Sequence, residues 1–259
     1  ERGGTSEVSK MGGSNPGYFK QNKATLSNWT QEEEGENYAR ITKGKDREQA
    51  FQDWNTAANE KDIGVGLVGI DATNARMAKR DVAMSRLNQL LGANVIAKAE
   101  LAVMHGGDGK KEGSLMEDAN KKGKSGFDVA KTGSHSTGEE KGSLDSVNLQ
   151  DPELMRQLSR LQLIDLLAFQ VDRNTKNYYI QTSPTGQVLG IVGIDNDFSL
   201  GTNTNIEGEN QELPGISRYV DKELAEAILS VDVEMLKALM SDLLSEQEIN
   251  AMIERLRKL

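Results

Sequence analysis

Gln170-Val171-Asp172-Arg173-Asn174-Thr175-Lys176-Asn177 is the stretch on which the reading of this chain turns. It sets an Asp and an Asn five positions apart, behind a long apolar run and ahead of two strand-like segments. The run opens at Asp151-Pro152-Glu153, where Asp can accept from free N–H groups, Pro tolerates the first turn and Glu suits the positive end. Leu154, Leu158, Leu161, Ile164 and Leu167 then predict a heavily buried helix to about Phe169. Past the quoted loop, Tyr178 to Gln181 and Val188 to Ile194 read as strands joined by the turn Ser183-Pro184-Thr185-Gly186. The second strand closes on Ile194-Asp195-Asn196-Asp197.

Toward the N-terminus, Val8 to Met11 and Tyr18 to Lys20 read as strands separated by the turn-rich Gly12 to Gly17, which predicts a small antiparallel sheet. Residues from Gln21 to about Lys61 are polar and irregular and read as an insertion, with a short helix around Glu48 to Ala58. Apolar spacing predicts a helix from about Ala75 to Leu91, ended by Gly92, followed by strands at Val95-Ile96 and Glu100 to Met104. Gly106 to Ser146 is rich in Gly, Lys, Ser and Asp apart from Ser114-Leu115-Met116, and most of it reads as a flexible connection. Asp221, Asp232 and Ser245 are candidate caps for three short C-terminal helices, and Ser245 with Glu248 fits a capping box. The class that results is α+β.

Composition narrows the chemistry. The chain has 259 residues, a formal net charge of -9, no cysteine and two histidines. Phosphate-backbone binding needs clustered Lys and Arg, so nucleic acid is not the expected partner. Thiolate metal sites and disulfides are excluded, and His105 and His135 do not make a zinc centre alone. A metal here is expected to be a hard cation held by carboxylates and amides. No apolar run is long enough to span a bilayer and Glu1-Arg2-Gly3-Gly4 lacks a signal-peptide core, so a soluble protein without integral membrane association is expected.

Phosphoryl transfer needs groups that hold Mg²⁺ on nucleotide phosphates and a carboxylate beside the acceptor hydroxyl. In kinases an Asp, an Asn five residues on and an Asp after a hairpin supply them, and the spacing of Asp172, Asn177 and Asp195 matches. In this order the residues resemble the atypical kinases that group phosphatidylinositol 3- and 4-kinases with HipA-type protein kinases and related bacterial effector kinases. Leu161-Gln162-Leu163-Ile164-Asp165 through Asp172-Arg173 resembles the helix and catalytic loop of the bacterial members. Ile194-Asp195-Asn196-Asp197-Phe198-Ser199-Leu200-Gly201 resembles their metal-binding strand end. Arg80-Asp81-Val82-Ala83 with Arg86 to Gly92 resembles their N-lobe helix, and Pro214-Gly215 to Leu259 their helical tail.

The resemblance implies a bilobal protein-kinase-like fold: a small β-sheet N-lobe at residues 1–115 with the insertion 21–61, and a mainly helical C-lobe at 116–259. It implies ATP and Mg²⁺ as cofactors, and Asp172 as the catalytic carboxylate with Lys20 and Asp81 as a supporting pair. Asn177, Asp195 and Asp197 become the metal ligands. Gly3-Gly4-Thr5-Ser6 become the phosphate-covering loop with Lys20, and Met116-Glu117 lie near the adenine-reading hinge. Lys43 competes with Lys20 for the phosphate lysine, and Asn174 stands where many relatives carry His. The expected acceptor is a protein Ser or Thr, including a host protein reached by bacterial secretion into the host cytoplasm. A phosphoinositide is the alternative acceptor, and a non-catalytic kinase-fold binding module the alternative class.

Bland readings stand beside these. Asp172 and Asn177 are ordinary turn residues, and Asp195 with Asp197 also suits a solvated or calcium-like turn. Gly64-Val65-Gly66-Leu67-Val68-Gly69 matches the dinucleotide fingerprint in form, but the polar Ala57 to Asp62 before it supplies no strand, so it is not read as a nucleotide site.

Overall fold

The computed structural model describes residues 8–12, 16–22, 43–46, 49, 67–107, 109–119, 151–173, 177–183, 185, 187–206 and 220–259. Six strands are formed there: β1 Val8–Met11, β2 Gly17–Gln21, β3 Ala99–Gly106, β4 Gly109–Glu117, β5 Tyr178–Thr182 and β6 Val188–Gly193. The α-helices are α1 Met77–Leu90, α2 Pro152–Ala168, α3 Lys222–Leu229, α4 Val233–Met240 and α5 Glu246–Lys258. The class is mixed α+β, with an antiparallel four-stranded sheet ordered β1-β2-β4-β3 and a separate β5-β6 hairpin.

Helix caps follow the residues that announce them. Asp151 accepts from Glu153 N–H at α2, Asp221 from Leu224 N–H at α3, and Asp232 from Glu234 and Met235 N–H at α4. Ser245 and Glu248 form the full capping box of α5. Helix α1 departs from the expected start at Ala75: Arg76 takes a left-handed backbone (φ 53°), so the helix begins at Met77. Its side-chain cap comes from afar, Asn22 just past β2 accepting from Ala78 N–H at 3.2 Å.

Two expectations need correcting. Gly109 to Gly113 is not flexible connection but joins the excepted Ser114-Leu115-Met116 in β4, the strand between β2 and β3. Its Lys, Glu and Gly residues hide the strand, because two neighbouring ladders hold the backbone whatever the side chains prefer. Gly109 turns at φ 106°, and a side chain at Gly113 would run into the Lys20 carbonyl. Val95-Ile96 is likewise not a strand: Ile96 makes one isolated parallel bridge to Gly193, and the Asn88 side chain accepts from both Val95 and Ile96 N–H. The expected helix at Glu48 to Ala58 lies outside the described residues apart from Gln49.

Helix α1 packs on β3 and β4. Its Val82 and Leu87 share one core with Leu154 and Ile164 of α2, Ile191 of β6 and Met252 of α5. The C-terminal helices also grip α1 through charge. Arg80 is fully buried, donating to Glu248 and, at 2.9 Å, to the Ser199 carbonyl, while Arg86 meets Asp242 at 2.5 Å. Among the described residues no helix is long and apolar enough to cross a membrane.

Candidate active site

Strand β2 carries Lys20 inward, opposite Ser114 of β4, and leaves it 5% exposed. Its ammonium reaches Asp195 at 2.5 Å, Asp197 at 2.7 Å and Asp81 at 3.5 Å. These residues come from β2, α1 and the segment after β6, so three parts of the chain converge on one nitrogen. Asp81, a short side chain, lies farthest from the lysine, and its other oxygen accepts from Asn196 N–H at 2.9 Å. Asp195 holds a left-handed backbone (φ 55°), which turns the chain sharply and brings Asp195 and Asp197 to the same ammonium.

The quoted loop lies alongside. Asn177 donates its amide nitrogen to the Asp172 carboxylate at 3.0 Å and to the Asp172 carbonyl at 2.7 Å, which turns the amide oxygen, a hard donor, away from Asp172. Arg173 links this loop to the acidic one. Its fork takes Asp165 of α2 through two 2.9 Å bonds, and its remaining N–H groups reach the carbonyls of Asn177 (2.6 Å) and Ile194 (2.7 Å) and the Asn196 side chain (2.6 Å). Gly193 makes room for it: a Cβ there would stand 3.1 Å from the guanidinium carbon and 2.9 Å from Ile96. Gln170 adds a second link, donating to the Asp195 carbonyl at 3.1 Å and accepting from Asp172 N–H at 3.0 Å.

One ammonium faces three carboxylates, and the electrostatics reflect that ratio. Burial works against a charged Lys20, but Asp197, Asp81 and Asp195 outweigh it and hold the lysine well above its ordinary value. Burial pushes Asp81 up to about 7, helped by Asp197 and Asp195 and opposed by Lys20. Burial raises Asp197 too, Lys20 opposing and Asp195 adding. Three carboxylates thus share one ammonium, and burial pushes two of them, Asp81 and Asp197, toward their neutral forms. Among the described residues Asp81 Oδ2 and Asp197 Oδ2 are buried without a hydrogen bond, and Lys20 forms an ion pair with each.

That donor set fits Mg²⁺ in kind: carboxylate and amide oxygens, without sulfur or imidazole. As the side chains stand, no group of three or more His, Cys, Asp or Glu among the described residues is arranged to hold a metal.

Of the expected site residues, Lys20, Asp81, Asp195 and Asp197 form one cluster, and Asp172 with Asn177 forms a pair joined to it through Arg173. Lys43 is exposed. Met116 and Glu117 end β4, two and three residues past Ser114; Met116 is buried, and Glu117 exchanges hydrogen bonds with Lys98. Gly3, Gly4, Thr5, Ser6 and Asn174 lie outside the described residues. Arg173, Asp165 and Gln170 stand within the quoted motif segments, but the motif gives them no role at the site. The signal for Asp165 is a lone carboxylate inside the leucine-rich face of α2, where it needs a buried cation. No protein-family model matches this chain, and no curated protein sequence matches it.

Proposed function

We propose that the chain is an ATP- and Mg²⁺-dependent phosphotransferase with a bilobal, protein-kinase-like arrangement, acting on a protein Ser or Thr hydroxyl. The observation that carries this reading is the meeting of Lys20 with Asp195 and Asp197 across more than 170 positions of sequence, beside the Asp172–Asn177 pair. A solvated turn has no need of a buried lysine or an arginine hub. The resemblance to atypical kinases assigns the same residues to the same tasks.

In this reading Asp172 orients the acceptor hydroxyl and takes its proton as the hydroxyl oxygen bonds to the γ-phosphorus. The bond from that phosphorus to the β,γ-bridging oxygen breaks, and ADP leaves with the electron pair. Lys20 neutralises phosphate charge, and Asn177, Asp195 and Asp197 offer the oxygens that hold Mg²⁺. The ion, when bound, supplies charge neutralisation on the phosphates. Arg173 keeps the two loops in register.

The test is transfer from γ-labelled ATP with Mg²⁺ into a host-cell extract and, separately, into phosphoinositide vesicles. Label on protein Ser or Thr is the expected result. Label on lipid alone moves the acceptor to a phosphoinositide. No transfer in either arm, with no ATP binding, overturns the reading in favour of a binding module.

A further inference from the structure

We propose that Lys20 is an internal stand-in for a divalent cation: its ammonium occupies the space between Asp195 and Asp197, and metal loading exchanges one cation for the other. This rests on the phosphotransferase reading for the assignment of Asp195 and Asp197 to metal and for the identity of the incoming metal–nucleotide. The ammonium lies 2.5 Å from Asp195 and 2.7 Å from Asp197 but 3.5 Å from Asp81, the carboxylate to which a kinase-type lysine pair would commit it. Both of its short contacts are therefore with the residues assigned to metal. Asp197 is 1% exposed, and among the described residues its Oδ2 has no hydrogen bond and pairs with that ammonium, so the lysine offsets the burial of a carboxylate oxygen.

Charge arithmetic supports an exchange. Lys20 with Asp81, Asp195 and Asp197 sums to two negative charges when all are ionised, and a divalent cation brings that sum to zero with the lysine retained. The retained lysine has a place to go. Asp81 Oδ2 is already 3.5 Å away with no hydrogen-bond partner of its own, so a small shift along the side chain trades two short contacts for one. The ammonium then faces Asp81 and incoming phosphate. A site built this way holds free metal weakly, because the metal must first displace a cation of like sign, and it resists collapse when empty.

Mn²⁺, a hard divalent probe visible by electron paramagnetic resonance, is titrated without nucleotide into the wild-type chain and Lys20→Met. Removing a positive charge within about 4 Å of the ligands is expected to tighten Mn²⁺ binding roughly tenfold or more. The melting temperature of Lys20→Met is expected to rise with Mn²⁺ more than that of the wild type. Adding Asp197→Asn should abolish the gain. Mn²⁺ binding to Lys20→Met no tighter than to wild type, or a gain that survives Asp197→Asn, overturns the proposal.

Should Lys20→Met not fold, the wild-type chain answers alone. The side-chain nitrogen resonance of Lys20 is expected to shift when Mg²⁺ and ADP are added, and an unmoved signal at saturation refutes the exchange. None of these readouts requires turnover. A chain that gains metal affinity yet transfers no phosphoryl group keeps this inference and loses the proposed function, and the converse separates them equally well.

Discussion

Asp195 adopts a left-handed backbone at φ 55° with a side chain 40% exposed, so its carboxylate can be altered without emptying the core. Asn tolerates that backbone and keeps the size. Asp195→Asn is therefore expected to retain the circular dichroism and melting profile of the wild type while losing transfer from γ-labelled ATP; full activity in the folded variant contradicts its assignment. Arg173 is the opposite kind of residue, with its fork on Asp165 and on two carbonyls, which a lysine cannot reproduce. Arg173→Lys leaves buried acceptors unpaired, at a cost of about 1–3 kcal/mol each, and should lower the urea midpoint and raise KM for Mg²⁺-ATP together. An unchanged KM would show that the two loops keep register without it. Asp172, Asn177 and Asp195 are legible in the sequence because turn-prone polar residues at fixed spacing beside apolar elements stand out. Arg173 is not, since its five bonds join α2, the loop and the segment after β6, which no local pattern reports.

At the scale of elements, α1 is held from two sides: the sheet beneath it and the C-terminal helices that grip Arg80 and Arg86. Glu248 serves twice, capping α5 through Ser245 and pairing with the fully buried Arg80 one residue from Asp81. Ser245→Ala removes a cap worth about 1 kcal/mol. Glu248→Ala also strands a buried guanidinium, for about 3–5 kcal/mol, so urea denaturation should show it several-fold more damaging. Equal losses would mean that the ion pair does not hold α1. Asp242 adds a smaller, exposed contribution. The hydrogen bond from Arg86 holds its carboxyl below the ordinary value, so the stability it adds is present above the unfolded value near 3.9 and fades as pH falls through the lower folded one. Caps are legible because the capping residue and the first turn are adjacent in sequence. Strand β4 is not, because Gly109-Lys110-Lys111-Glu112-Gly113 carries no alternation and is shaped by β2 and β3, which lie elsewhere in the chain.

For the molecule as a whole, strand β2, helix α1 and the segment after β6 bring one lysine and three carboxylates to a single cluster. Such a site repels triphosphate unless a cation comes with it. Calorimetric titration should accordingly show ATP binding weakly without Mg²⁺ and much more tightly with it, and equal affinity in both counts against Asn177 and Asp195 as metal ligands. The assembly of the site is legible in part: the order Lys20, Asp81, Asp172, Asn177, Asp195 is readable along the chain, whereas their meeting depends on β4 and Gly193, which carry no motif, and on the bonds of Arg173, which its place in the loop motif does not report. The central claim is that this meeting point performs chemistry, and Asp172→Asn tests it most directly, because Asn keeps the size and loses the proton-accepting charge. Single-turnover transfer at saturating Mg²⁺-ATP is predicted to fall by about 10²–10⁴-fold with nucleotide affinity unchanged. Undiminished transfer, or an equal loss of nucleotide binding, would contradict the account.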